Sequence, residues 1–161
     1  MANWREVSDS APEFAARIRA AFEVNKHKTI ATLRKDGSPR VSGIEAYFVG
    51  DDLWFGSMPG ALKGRDLLRD PRFALHGPPV ILGDAGAAPG DAKLSGRAVA
   101  VTDRDQIAPM LTARGLDPAA FGESHFFKTD IREAVLTRIE GAVMAIDLWR
   151  PGRELHHFTR A

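Results

Sequence analysis

The chain has 161 residues, 22 Lys and Arg against 21 Asp and Glu, 44% hydrophobic and 27% charged residues, and no cysteine. These values fit one folded domain and exclude a disulfide framework, a thiolate nucleophile, an iron–sulfur cluster and a cysteine-based zinc site, while a net charge of +1 lacks the basic footprint of a nucleic-acid binder. No uncharged run nears the roughly 20 apolar residues that span a bilayer, and the start Met1-Ala2-Asn3-Trp4 lacks the form of a signal peptide, so the expected location is cytoplasmic and redox chemistry would need a borrowed cofactor.

Ser10-Ala11-Pro12-Glu13 reads as a capping box with proline just inside the helix start. Phe14, Ile18, Ala21 and Phe22 then recur on one face, which predicts a helix over 11–25. Thr29–Leu33 changes to a strand pattern, and Asp36-Gly37 signals a tight hairpin into a strand over Pro39–Val49. Gly50-Asp51-Asp52 turns the chain into Leu53–Ser57, giving three antiparallel strands in a row. Leu62–Arg69 reads as a short helix with Leu62, Leu67 and Leu68 inward, stopped by Asp70-Pro71. Arg72–His76 is the next strand.

From Gly77 to Asp91 there are four Gly and three Pro in fifteen residues, the composition of a mobile loop. Lys93–Thr102 is a long strand, and Asp103 caps a helix reaching about Arg114. Phe126–Thr129, Ala134–Ile139, Ala142–Trp149 and Leu155–Thr159 supply the remaining strands. About eight short antiparallel strands with two or three helices predict a single α+β domain built on a closed barrel, which leaves few exposed edges.

One segment suggests chemistry on its own. At Gly56-Ser57-Met58-Pro59-Gly60-Ala61-Leu62-Lys63 a strand ends in a glycine-containing turn and feeds a helix whose first turn carries Lys63. Free backbone N–H groups, the helix dipole and an ammonium converge there, which suits a phosphate; a solvated lysine beside a capping turn would have the same local sequence. Alternation puts at least one of Trp54 and Phe55 in the core. Arg65, Asp66, Arg69 and Asp70 have the spacing of surface ion pairs. His27, His76, His125, His156 and His157 show no metal-ligand spacing, and the adjacent His156-His157 pair is the one haem-ligand candidate. Ser42 and Ser57 lack a nucleophile elbow.

The segments Ala31–Val41, Asp52–Ser57 and Leu62–Leu75, in that order and spacing, and more weakly Gly96–Thr102 and Trp149–His156, resemble the pyridoxamine 5′-phosphate oxidase-like family, over most of the chain. The resemblance implies an antiparallel split β-barrel of the FMN-binding type, a homodimer, with FMN or the deazaflavin coenzyme F420 in a groove between subunits. By position it implies that Lys63 is the cofactor-phosphate lysine, that Ser57 and Met58 lie near the phosphate with Leu62, and that Arg40, Val41, Ser42, Gly43 and Ile44 run along the ring system. Trp149 and Arg153 match the C-terminal Trp and basic residue that reach the cofactor from the other subunit.

The chain also departs from the oxidases proper. Ala61-Leu62 stands where they carry Ser-Arg, Ser42 lies near their strand arginine, and Glu154 replaces a basic residue facing substrate. The missing charge-assisted contacts, about 1.5–3 kcal/mol each, tilt the cofactor towards the deazaflavin, and Glu154 argues against pyridoxal-phosphate synthesis. The resemblance therefore implies hydride transfer to or from a small conjugated molecule, with catalytic residues unassigned. A non-enzymatic flavin or deazaflavin carrier is the alternative, and an oligonucleotide-binding barrel is disfavoured by the charge.

Overall fold

The computed structural model describes residues 1–79 and 90–161. Helices α1 (Trp4–Ser10) and α2 (Pro12–Glu23) precede β1 (His27–Leu33), β2 (Pro39–Val49), β3 (Asp52–Ser57) and α3 (Leu62–Arg69). Then come β4 (Arg72–His76), β5 (Asp91–Val101), α4 (Arg104–Ala113), a 3-10 turn (Pro118–Phe121), β6 (His125–Glu140), β7 (Val143–Trp149) and β8 (His156–Arg160). All pairings are antiparallel, in the order β3-β2-β1-β4-β5-β6-β7-β8. An added pairing of β3 with the start of β6 closes the first six strands into a barrel. The far half of β6 carries β7 and β8 beyond the closure.

The local turn chemistry is as the sequence dictates. Gly37 takes φ +83° in the Asp36-Gly37 turn, with Arg34 N–H donating to the Ser38 carbonyl at 2.9 Å across the hairpin. Asp103 caps α4 by accepting from the Asp105 N–H at 2.9 Å.

Three expectations are corrected. The capping box does not form, because Ser10 is the last residue of an unanticipated α1, capped by Asn3, and Ala11 stands at the N-cap of α2. Of that box only the proline at the start of α2 is as expected, while the helix itself forms and buries Phe14, Ile18, Ala21 and Phe22 as read. The two strands expected over 126–139 are one strand, β6, that runs through the charged stretch Asp130–Glu133. A register shift at Ser95/Gly96 absorbs one residue there, pairing Ser95 with Glu133 and Gly96 with Ile131. Of the three leucines of α3 only Leu67 is buried; Leu62 and Leu68 face solvent. The expected mobile loop over Gly77–Asp91 falls mainly on residues 80–89, outside the described residues, and its last residue, Asp91, opens β5.

The core has two parts. The barrel interior joins α1 and α2 to inward residues such as Phe22, Ile30, Phe55, Leu75, Leu94 and Leu136. Trp54, on the opposite face of β3 from Phe55, is buried with Ile107, Met110, Leu111 and Phe126 beneath α4. Both aromatics of the pair are therefore inside, on opposite sides of one strand.

Candidate functional site

Strand β3 delivers Ser57 to the barrel rim, and Met58–Ala61 turns the chain into α3. Gly60 adopts φ +73°, and the Ala61 N–H closes the turn on the Met58 carbonyl at 3.1 Å. No side chain caps the start of α3 and no acidic residue lies in its first turn. Its first N–H groups thus lack intrahelical partners. Ser57 is buried, and its Oγ makes only a long 3.4 Å contact to the Met58 carbonyl.

Gly64 makes this corner possible. A Cβ there would lie 2.8 Å from Ser57 Oγ and 3.4 Å from His125 Cδ2. Its absence lets the helix settle directly onto the hydroxyl. His125 arrives at this point because β6 pairs it with Ser57. Met58 and Leu62 are exposed, at 76% and 54%, and flank Lys63 with apolar surface.

The second half of the site is the outer face of β2. Val41 is 71% exposed and Gly43 is open on its side-chain side, whereas Ile44 turns into the core. Ser42 lies between them, half-buried. Arg40 is tied down, its Nε donating to Asp66 Oδ2 at 2.7 Å. The same carboxylate accepts from Thr32 Oγ1 at 2.9 Å and from Arg69 at 3.0 Å. Asp66 is thus no surface ion-pair partner, because α3 turns it inward to 3% exposure between β1 and β2.

Burial by itself raises the Asp66 carboxyl, but the hydrogen bonds from Arg40, Arg69 and Thr32 together hold it below the ordinary carboxylate value. A folded-state value below the unfolded one means that Asp66 stabilises the fold fully above about pH 3.9 and loses that contribution as pH falls through the folded value. Acid unfolding of Asp66→Asn, followed by circular dichroism, should therefore show a flatter dependence on pH below 4 than the wild type. An unchanged acid limb would show that the network does not form.

The structure separates Trp149 from this site. Its side chain is 1% exposed in the protomer's own core, and its Nε1 donates to Ser10 Oγ at 2.8 Å. An indole so enclosed does not reach a neighbouring subunit, which corrects the role implied by the resemblance. Arg153, in the exposed turn between β7 and β8, is free to extend. His156 and His157 cannot serve one haem face. His157 Nδ1 lies 2.6 Å from Asp147 Oδ1, while His156 stands on the opposite face of β8, 5.3 Å from the Phe158 ring. Among the described residues no group of three or more His, Asp or Glu gathers as a metal site, and no helix is long and apolar enough to cross a membrane.

Asp66, Thr32 and His125 escape a reading of sequence alone. Helical spacing offers Asp66 its neighbours Arg65 and Arg69, and only the fold brings Arg40 to it.

Solved structures share this architecture at low identity. An FMN-binding protein related to pyridoxamine 5′-phosphate oxidase from Nostoc punctiforme PCC 73102 matches with TM-score 0.66 and 11% identity over 96% of each chain. An F420 reductase matches with TM-score 0.53 and 17% identity over 72% of this chain and 94% of its own. A haem-binding protein from Mycobacterium smegmatis matches with TM-score 0.60 and 19% identity, over 85% of this chain but 57% of the larger relative. No curated protein matches the sequence. The family model described as pyridoxamine 5′-phosphate oxidase matches residues 14–138, from α2 through the barrel closure and most of β6. The chain therefore belongs to the pyridoxamine 5′-phosphate oxidase-like family.

Proposed function

We propose that the protein is a homodimeric oxidoreductase that holds FMN or coenzyme F420 and exchanges hydride with a small conjugated organic molecule. The carrying observation is the uncapped start of α3, which bears Lys63 in its first turn, packs Gly64 onto the buried Ser57 and is tied to β2 through Asp66 and Arg40. These residues fit an anionic cofactor tail: unpaired N–H groups and the helix dipole favour a phosphate, and Lys63 adds the charge. Arg40 already faces Asp66, so Lys63 adds positive charge there together with Arg65, whose guanidinium lies against the Gly60 turn. Gly43 leaves room for a flat ring beside Val41. The bound group supplies the hydride chemistry, and the chain's residues bind it, orient it and limit water. That its structural relatives include an FMN-binding protein and an F420 reductase supports this cofactor class.

A second copy completes the reading. Ile139 and Met144, paired across β6 and β7, are 70% and 39% exposed, apolar surface that a dimer would cover. The second copy would bring its Arg153 towards the groove.

Two measurements test this. Light scattering at micromolar concentration should give twice the 17.5 kDa chain mass. Bound cofactor, once reduced, should be reoxidised by planar conjugated acceptors faster than the same cofactor free in solution. Equal rates would leave a carrier, and a cofactor-binding monomer would remove the two-subunit groove.

A further inference from the structure

Beyond the phosphate corner, the outer sheet face holds a second set of polar groups. Strand register lays its side chains in rows: Gly43, Thr29, His76 and Lys93 in one, Val41, Ala31, Ala74 and Ser95 in the next. The small members, Thr29, Ala31, Ala74 and Ser95, form a floor under a cavity of about 300 Å³ that Lys93, His76 and Glu133 help to wall. By strand spacing, Lys93 stands three strands from Gly43, about 15 Å along the row.

The carboxylates around this cavity are already engaged. Glu133 accepts from Arg150 Nε at 3.0 Å and from its terminal nitrogen at 2.7 Å. Asp91 lies 2.9 Å from His76 Nε2, while His76 Nδ1 is held 2.7 Å from the Gly77 carbonyl. With both ring nitrogens facing acceptors, His76 is held as a clasp on Asp91. Lys93 shares the cavity wall, and among the described residues no carboxylate lies within 4.0 Å of its ammonium. The hydroxyls of Ser95, two residues along β5, and of Thr29, two strands across on β1, line the same cavity. A cation and two hydroxyls over small side chains match a flat molecule that carries one carboxylate.

We propose that Lys93, with Ser95 and Thr29, is an anchoring subsite for the carboxylate of a planar ligand, and that the His76–Asp91 clasp keeps Asp91 from quenching Lys93. As a substrate subsite this rests on the oxidoreductase reading, because the ligand is then the acceptor. As a binding site it stands without any cofactor.

Benzoate serves as the probe and benzamide as its uncharged counterpart, titrated into the full-length protein and followed by amide NMR shifts. Benzoate should move the Lys93, Ser95 and Thr29 signals and bind at least 10-fold more tightly than benzamide. Lys93→Met, at an exposed position, should weaken benzoate about 10-fold and leave benzamide unchanged. His76→Leu should weaken benzoate too, because it removes the donor that holds Asp91 away from Lys93. Equal binding of the two probes, shifts confined to other surfaces, or a Lys93→Met protein that binds benzoate normally would overturn the subsite. A parallel FMN titration separates the two readings: FMN binding without selective benzoate binding removes the subsite alone, and selective benzoate binding without FMN or F420 binding removes the cofactor reading alone.

Discussion

Gly96→Ala should unfold at a much lower urea concentration than the wild type. A Cβ at Gly96 would lie 2.0 Å from the Asp130 carbonyl oxygen and 3.0 Å from its carbon, both backbone atoms of the facing strand. Neither can swing aside as a side-chain tip could. This is where the register shift lets Gly96 face Ile131, so the methyl must either reverse the bulge or push β5 from β6. Either outcome also disturbs Asp130, which accepts the Ala2 N–H at 2.9 Å and pairs with Arg132 at 2.7 Å. Overpacking commonly costs about 1–3 kcal/mol, and a backbone collision belongs at or above the top of that range. Gly43→Ala is the control, since its added methyl meets nothing within 4 Å; it should change stability by less than about 1 kcal/mol. Equal urea midpoints for the two variants would mean that β5 and β6 do not meet in this register.

Lys63→Ala should weaken cofactor binding more than any other single Lys or Arg change. Arg40 and Arg69 share the Asp66 carboxylate, so removing either also disturbs the fold. Lys63 has no such tie among the described salt bridges. Loss of one charge-assisted contact costs about 1.5–3 kcal/mol, roughly 10- to 150-fold in affinity. The urea midpoint should stay within about 0.5 kcal/mol of wild type, which separates a binding defect from a folding one. Unchanged affinity would remove the phosphate from the start of α3.

Much of the barrel is legible in the sequence because its instructions are local. Asp36-Gly37, Gly50-Asp51-Asp52 and Asp70-Pro71 each mark a connection by backbone chemistry confined to a few residues, and β1 to β4 follow within a residue or two. What escapes depends on distant partners. Trp4 and Val7 are the only buried residues of α1, too few to set a period, and they make sense only against the barrel they cover. Asp130, Arg132 and Glu133 look like an interruption, yet β6 continues through them because a bulge and the N-terminal backbone accept them. The site divides in the same way. Ser57, Lys63 and the intervening turn are contiguous and stand out, whereas Asp66 acquires its meaning from Arg40, 26 residues earlier. Trp149 shows the limit of carrying a role over by position, since in this chain the indole fills the core and bonds to Ser10.

In the proposed function the start of α3, with Ser57 and Lys63, holds the phosphate of a flavin-type cofactor. The most direct test of this role is a fluorescence titration of the wild-type protein with FMN and with riboflavin, which has the same ring system and lacks the phosphate. FMN should bind at least 10-fold more tightly than riboflavin, and Lys63→Ala should erase most of that difference while leaving riboflavin affinity in place. Equal affinities of the wild-type protein for the two, or a preference for FMN that survives Lys63→Ala intact, would contradict it.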